Sequence, residues 1–181
     1  MLIEKIRSKT RSYQRQIRIR NALEYIAALA VVVVFGKWLI DKRDQLTTVL
    51  MCASIIAATF FIVIYLRVNG YATTPPTGAD TRTYLNYLIG DLTRQRNLVR
   101  NIFWWYLAPF IPGLALGIVD RLVHPPAHPK TSVGVWLAIY VPFLVVMFIG
   151  GYVWNQRAAR RMQAGIDTAR ATLKSLDDLQ R

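Results

Sequence analysis

Acidic residues are scarce in this chain, and charge of either sign is almost missing from four long stretches of it. Ten Asp and Glu stand against 23 Lys and Arg, a formal net charge of +13. Within the runs Leu23–Ile40, Leu46–Leu66, Ile102–Val123 and Val133–Trp154, only Glu24, Lys37, Asp120 and Arg121 are ionised, and each lies near an end. Proton relays and ion pathways need titratable groups deep in a membrane segment, so their lack counts against a secondary transporter. Cys52 is the single cysteine, which excludes an internal disulfide and any CxxC metal or redox pair. No HExxH, P-loop, Ser/His/Asp or Cys/His arrangement is present, so hydrolase, protease and nucleotidase chemistry has no residues to run on. The expectation is a non-enzymatic protein with no catalytic residues, no cofactor and no metal.

What is present is hydrophobic: 54% of the residues, with a mean hydropathy of +0.27. Each of the four runs has about the 20 residues needed to cross a bilayer core. The predicted fold class is an all-α membrane protein with four transmembrane helices, of which helices 1, 3 and 4 extend into a cytoplasmic helical bundle. A basic leader of some twenty residues and the lack of a small-x-small site before Lys42 argue against a cleavable signal peptide. Eighteen of the Lys and Arg fall in 1–21, 67–101 and 155–181, against five in the other two connections. The positive-inside rule then puts both termini in the cytoplasm of a multi-pass inner-membrane protein. Trp38, Trp104, Trp105, Trp136 and Trp154 all fall at expected membrane–water boundaries, where an amphipathic ring is favourable.

In chain order, a single integral membrane domain divides into a basic helix (1–21), spans at 22–40 and 46–66, a loop and amphipathic helix (67–101), spans at 102–123 and 133–154, and a final helix (155–181). Leu2, Ile6, Tyr13 and Ile17 form a thin apolar stripe, and nothing breaks the helix between it and Ile40. Asp41-Lys-Arg-Asp44 is a tight link, and Asn69 to Asp80 is loop chemistry, with Asp80 or Thr81 as the following N-cap. Leu85, Leu88, Leu92, Gln95, Val99 and Ile102 step by threes and fours, as do Met162, Ile166, Ala169, Leu173, Leu176 and Gln180. These seams predict mutual burial in a coiled-coil-like bundle.

Thr93 to Gly117 passes without a break from basic helix through aromatic cluster to apolar run. Pro109 and Pro112 each remove a donor there and predict a kink between Trp105 and Gly113. Gly113 and Gly117 form a GxxxG pair for close helix packing, and Pro142 lies inside the fourth span. Arg20-Asn21 and Arg100-Asn101, each followed by a distal Asp (Asp41, Asp120), raise a parallel two-plus-two repeat.

Three groups of polar residues are candidates for function. Arg15, Arg18, Arg20, Arg94, Arg96, Arg100, Arg157, Arg160 and Arg161 lie near a span, where they face an anionic inner leaflet or an acidic partner. Nucleic acid is disfavoured as a partner, because neither a recognition-helix motif nor a stacking platform accompanies these charges. His124 and His128 have a four-residue spacing, but Pro125, Pro126 and Pro129 forbid the helix that would aim both at one metal, even with Asp120 as a third ligand. Glu24 is read as an interfacial carboxylate pairing with Arg20 or a neighbouring helix.

The motifs Arg15-Gln-Ile-Arg-Ile-Arg-Asn-Ala-Leu-Glu-Tyr-Ile-Ala-Ala28 and Arg94-Gln-Arg-Asn-Leu-Val-Arg-Asn-Ile-Phe-Trp-Trp-Tyr-Leu-Ala-Pro-Phe-Ile-Pro-Gly113 resemble a family of small, uncharacterised proteobacterial four-span inner-membrane proteins. The resemblance covers two short motifs and implies a bacterial inner membrane, with no catalytic residues. It also implies gene neighbourhood with extracytoplasmic-function sigma factors, and so a membrane-tethered regulator, although the His/Cys zinc signature of a common anti-sigma class is missing. The functional expectation is an interaction, docking or assembly subunit working through its cytoplasmic helices, by a protein partner or by self-association. A sigma-factor regulator and a small oligomeric transporter are the alternatives.

Overall fold

The computed structural model describes residues 2–71, 73, 76, 78–125 and 132–178, with side chains at 14, 15 and from 17 onward. It is an all-α membrane protein: five α-helices and two short irregular helical turns, with no strand among the described residues. Helix α1 is Leu2–Asp41, α2 Leu46–Asn69, α3 Thr81–Arg100, α4 Ile111–Val123 and α5 Val133–Asp178. Four segments, Ile17–Asp41, Leu46–Asn69, Phe103–Val123 and the one within Val133–Asp178, are long and apolar enough to cross a membrane. The expected uninterrupted helix from Leu2 is present and ends at Asp41, where Lys42 N–H reaches Trp38 O and Gln45 N–H reaches Lys42 O to close the tight link. Pro142 is accommodated inside α5.

The chain forms two compact units. One comprises Met1–Leu23, Leu66–Asn101 and Trp154–Arg181; the other comprises Glu24–Tyr65 and Ile102–Val153. In the first, Asp80 is the N-cap of α3 through its backbone carbonyl, which accepts from Tyr84 N–H. The buried face of α3 is Tyr84, Leu85, Asp91, Leu92, Gln95, Leu98 and Val99; Ile17 of α1 and Ala159, Ile166 and Ala169 of α5 are buried in the same unit. The seam is therefore wider than its sequence pattern. Leu85, Leu92 and Val99 are buried as expected, and so is the row one residue before them (84, 91, 98), whereas Leu88 is only half-buried. A helix with neighbours on two sides buries a broader stripe than a two-stranded coil does. On α5, Ile166 and Ala169 are buried while Met162, Leu173 and Leu176 are half-buried; Gln180 lies outside the described residues, as do the side chains of Leu2, Ile6 and Tyr13.

The second unit is built around α2. Met51, Cys52 and Ile55 form its core, packed against Val31, Phe35 and Leu39 of α1 and against Phe110 and Leu116. The GxxxG pair works as its spacing predicts. A Cβ on Gly113 would stand 2.6 Å from Ile55 Cγ1, and one on Gly117 3.1 Å from Met51 Sδ, so the glycines let α4 close on α2. By contrast Leu29, Val33 and Val34 of α1 and Ile139, Phe143, Val146 and Ile149 of α5 are exposed, an apolar surface whose natural solvent is hydrocarbon.

The double-proline segment interrupts the helix over Phe103–Phe110. A π-helical turn, Phe103–Leu107, closes with Ala108 N–H on Phe103 O, and a 3-10 turn, Ala108–Phe110, closes with Ile111 N–H on Ala108 O. The cause lies in the missing donors. In a regular helix, Trp105 O and Ala108 O would accept from residues 109 and 112, both prolines, so the register loosens before the first and tightens before the second. Trp105 is buried and stacked on Tyr65 at 5.1 Å between ring centroids.

Candidate functional site

Most of the polar structure gathers in the first unit, around the chain between α2 and α3. Gln95 is fully buried on α3; its Oε1 accepts from Arg20 at 3.3 Å and its Nε2 donates to Tyr71 O at 3.4 Å. One helical turn earlier, Asp91 accepts from Arg94 at 2.9 Å and from the Thr73 hydroxyl at 2.8 Å. Gln14 of α1 donates to Thr73 O at 2.7 Å and to the Tyr87 hydroxyl at 3.0 Å, while Tyr87 donates to Thr73 O at 2.9 Å. Asn21 donates to Gly70 O at 2.7 Å. The Arg94 guanidinium also lies 4.1 Å over the Tyr71 ring. Each buried group would cost on the order of 1–3 kcal/mol if left unpaired. Together they bind the loop to α1 and α3 as a structural joint. Gln14, Thr73, Tyr87 and Asp91 carry no signal for this in sequence, because their partners are up to 73 residues distant.

This joint separates the nine candidate arginines into two groups. Arg20, Arg94 and Arg96 are partly buried and engaged: the first with Asn21 and Gln95, the second with Asp91 and Tyr71, the third with Asn97 and Gln163 of α5. Arg15, Arg18, Arg100, Arg157, Arg160 and Arg161 are exposed, and none has an ion-pair partner among the described residues. Arg157, Arg160 and Arg161 lie at three- and four-residue steps and share one face of α5. The exposed ion pair Arg82–Asp177 and the bond from Gln156 Nε2 to Arg100 O at 2.8 Å further tie α5 to α3.

In the second unit Glu24 is half-buried and accepts from the Tyr106 hydroxyl at 2.9 Å, so its neighbouring-helix partner is the aromatic cluster of the π turn. Asp120, raised as a metal ligand, is occupied otherwise. Its Oδ1 accepts from Thr47 at 2.7 Å and Thr48 at 2.6 Å, and His124 Nδ1 lies 3.3 Å away. The carboxylate thus joins the start of α2 to the end of α4. No cluster of three metal-ligating residues occurs among the described residues, and His128 lies outside them. The two Arg-Asn pairs sit in different settings, Arg20-Asn21 within α1 and Arg100-Asn101 at the C-terminal end of α3.

No protein-family model, no curated protein and no solved structure matches this chain.

Proposed function

We propose that this protein is a non-enzymatic docking subunit of the bacterial inner membrane, with both termini in the cytoplasm, that offers arginines of its first unit to an acidic protein partner. One observation carries the reading. The apolar seam of that unit is consumed by its own three helical segments, with Ile166 and Gln95 fully buried, while six of the nine candidate arginines remain exposed and without an ion-pair partner among the described residues. What the unit has left to recognise with is positive charge. Self-association through these faces sets like charges against each other, which favours a different, acidic chain over a second copy. The lysine and arginine asymmetry supports the orientation.

The test places a photo-crosslinking residue at exposed Ala164, which continues the Arg157–Arg161 face. Arg157→Gln, Arg160→Gln and Arg161→Gln are combined in a second chain, and the full-length protein is crosslinked in native membranes. The expected result is an adduct with one acidic protein, weakened about tenfold by the triple substitution and by raised salt. An adduct indifferent to both would overturn the reading. A soluble sigma factor in the adduct would assign the regulator alternative, and solute uptake by reconstituted vesicles would assign the transporter.

A further inference from the structure

The second unit contains a cleft of about 500 Å³ where α1 ends, α4 ends and α5 begins. It is lined by aromatic and apolar residues, Trp38, Met51, Gly117 and Trp136, together with the cations Lys42 and Arg121. Asp120 and His124 also line it, but Asp120 is engaged by the Thr47 and Thr48 hydroxyls and by His124. It makes no ion pair with Lys42 or Arg121 among the described residues. Neither Lys42 nor Arg121 has an ion-pair partner among the described residues.

Arg121 is held in a definite position. Its guanidinium lies 5.6 Å over the Trp136 ring, which is itself stacked on Tyr140 at 4.5 Å. Its Nε is buried without a hydrogen-bond acceptor among the described residues. A buried charged donor without an acceptor is costly, and a guanidinium fork matches phosphate oxygens geometrically. Lys42 stands on the exposed turn after α1 and supplies a second, mobile positive charge. Trp38 is tilted against Phe35 at 6.0 Å, so the apolar wall of the cleft continues onto a membrane-spanning helix.

We infer that this cleft binds a phosphate-bearing anion with an apolar body, its phosphate between Arg121 and Lys42 and its body against Trp38 and Trp136. The shared chemistry fits an anionic phospholipid headgroup and a free phosphate ester alike, and the position at the end of three apolar segments places it within reach of both. The site lies in the unit that does not hold the Arg157–Arg161 face, so it stands or falls separately from the docking proposal.

The experiment uses the full chain purified in mild detergent. Native mass spectrometry counts phosphatidylglycerol retained by the unaltered protein, by Lys42→Gln, by Arg121→Gln and by Arg121→Lys, with Arg157→Gln as a control at the other basic cluster. Retention is expected to fall about tenfold in Arg121→Gln and several-fold in Lys42→Gln, to recover in part in Arg121→Lys, and to stay unchanged in the control. Lys42→Gln tests an exposed turn, so the outcome does not depend on whether Arg121→Gln folds. Thermal stabilisation by water-soluble glycerol phosphate, lost in Lys42→Gln, would assign a free phosphate ester as the source; stabilisation by phosphatidylglycerol alone would assign the lipid. Equal retention in all variants, together with no stabilisation by either probe, would overturn the site.

Discussion

Single side chains divide by whether the fold has already used them. The nine arginines near the spans are equivalent in sequence, yet Arg20 and Arg94 are joined to Gln95 and Asp91 while Arg157, Arg160 and Arg161 reach solvent. Only tertiary contact draws that line, because Gln95 and Arg20 are 75 residues apart. Gly113 is legible in both ways. Its GxxxG spacing announces a close approach, and the fold adds the partner, Ile55 Cγ1, 2.6 Å from where a Cβ would sit. Gly113→Ala is therefore expected to destabilise the protein by about 1–3 kcal/mol, as overpacking commonly does. Adding Ile55→Ala removes the clashing group and should recover part of that loss, which thermal unfolding in detergent measures as a coupling between the two sites. Gly117→Ala meets only the flexible thioether of Met51 at 3.1 Å and should cost less.

At the level of the helix, period and punctuation were readable and the width of the contact was not. The three-and-four stepping of Leu85, Leu92 and Val99 locates the inner face of α3, but Tyr84, Asp91 and Leu98 join it because α3 bonds with both α1 and α5. Two polar residues on that face, Asp91 and Gln95, are sustained by loop and arginine partners that no periodicity reveals. Ile166 is the stricter test of the packing, being fully buried where Leu173 and Leu176 are half-buried. Ile166→Asp buries an unpaired carboxylate in an apolar site, at an expected cost of several kcal/mol, and should open α3 and the end of α5 to trypsin, whose target arginines are abundant there. Leu176→Asp, at the half-buried end, should leave the cleavage pattern close to that of the unaltered protein. The Pro109 and Pro112 interruption was placed by sequence within a few residues; its form, a π turn followed by a 3-10 turn, follows from which carbonyls lose their donors.

The whole molecule is a multi-pass membrane protein because four apolar segments have no other favourable solvent. Reporters of cytoplasmic and external location fused at the two termini should both register the arginine-rich side, and a fusion in the 41–45 link the opposite one. Termini on opposite sides would refute the orientation. Composition and the order of residues determined the helices, their number and their apolar lengths, since these depend on local hydrogen bonding and on transfer of side chains out of water, which act along the chain. The tertiary structure decided which arginines are spent on the loop joint, which tryptophan is buried against Tyr65, and that Asp120 is engaged by threonine hydroxyls and not by Arg121 or Lys42. Those outcomes depend on groups brought together from distant positions, and pairing across such distances follows from packing rather than from sequence pattern.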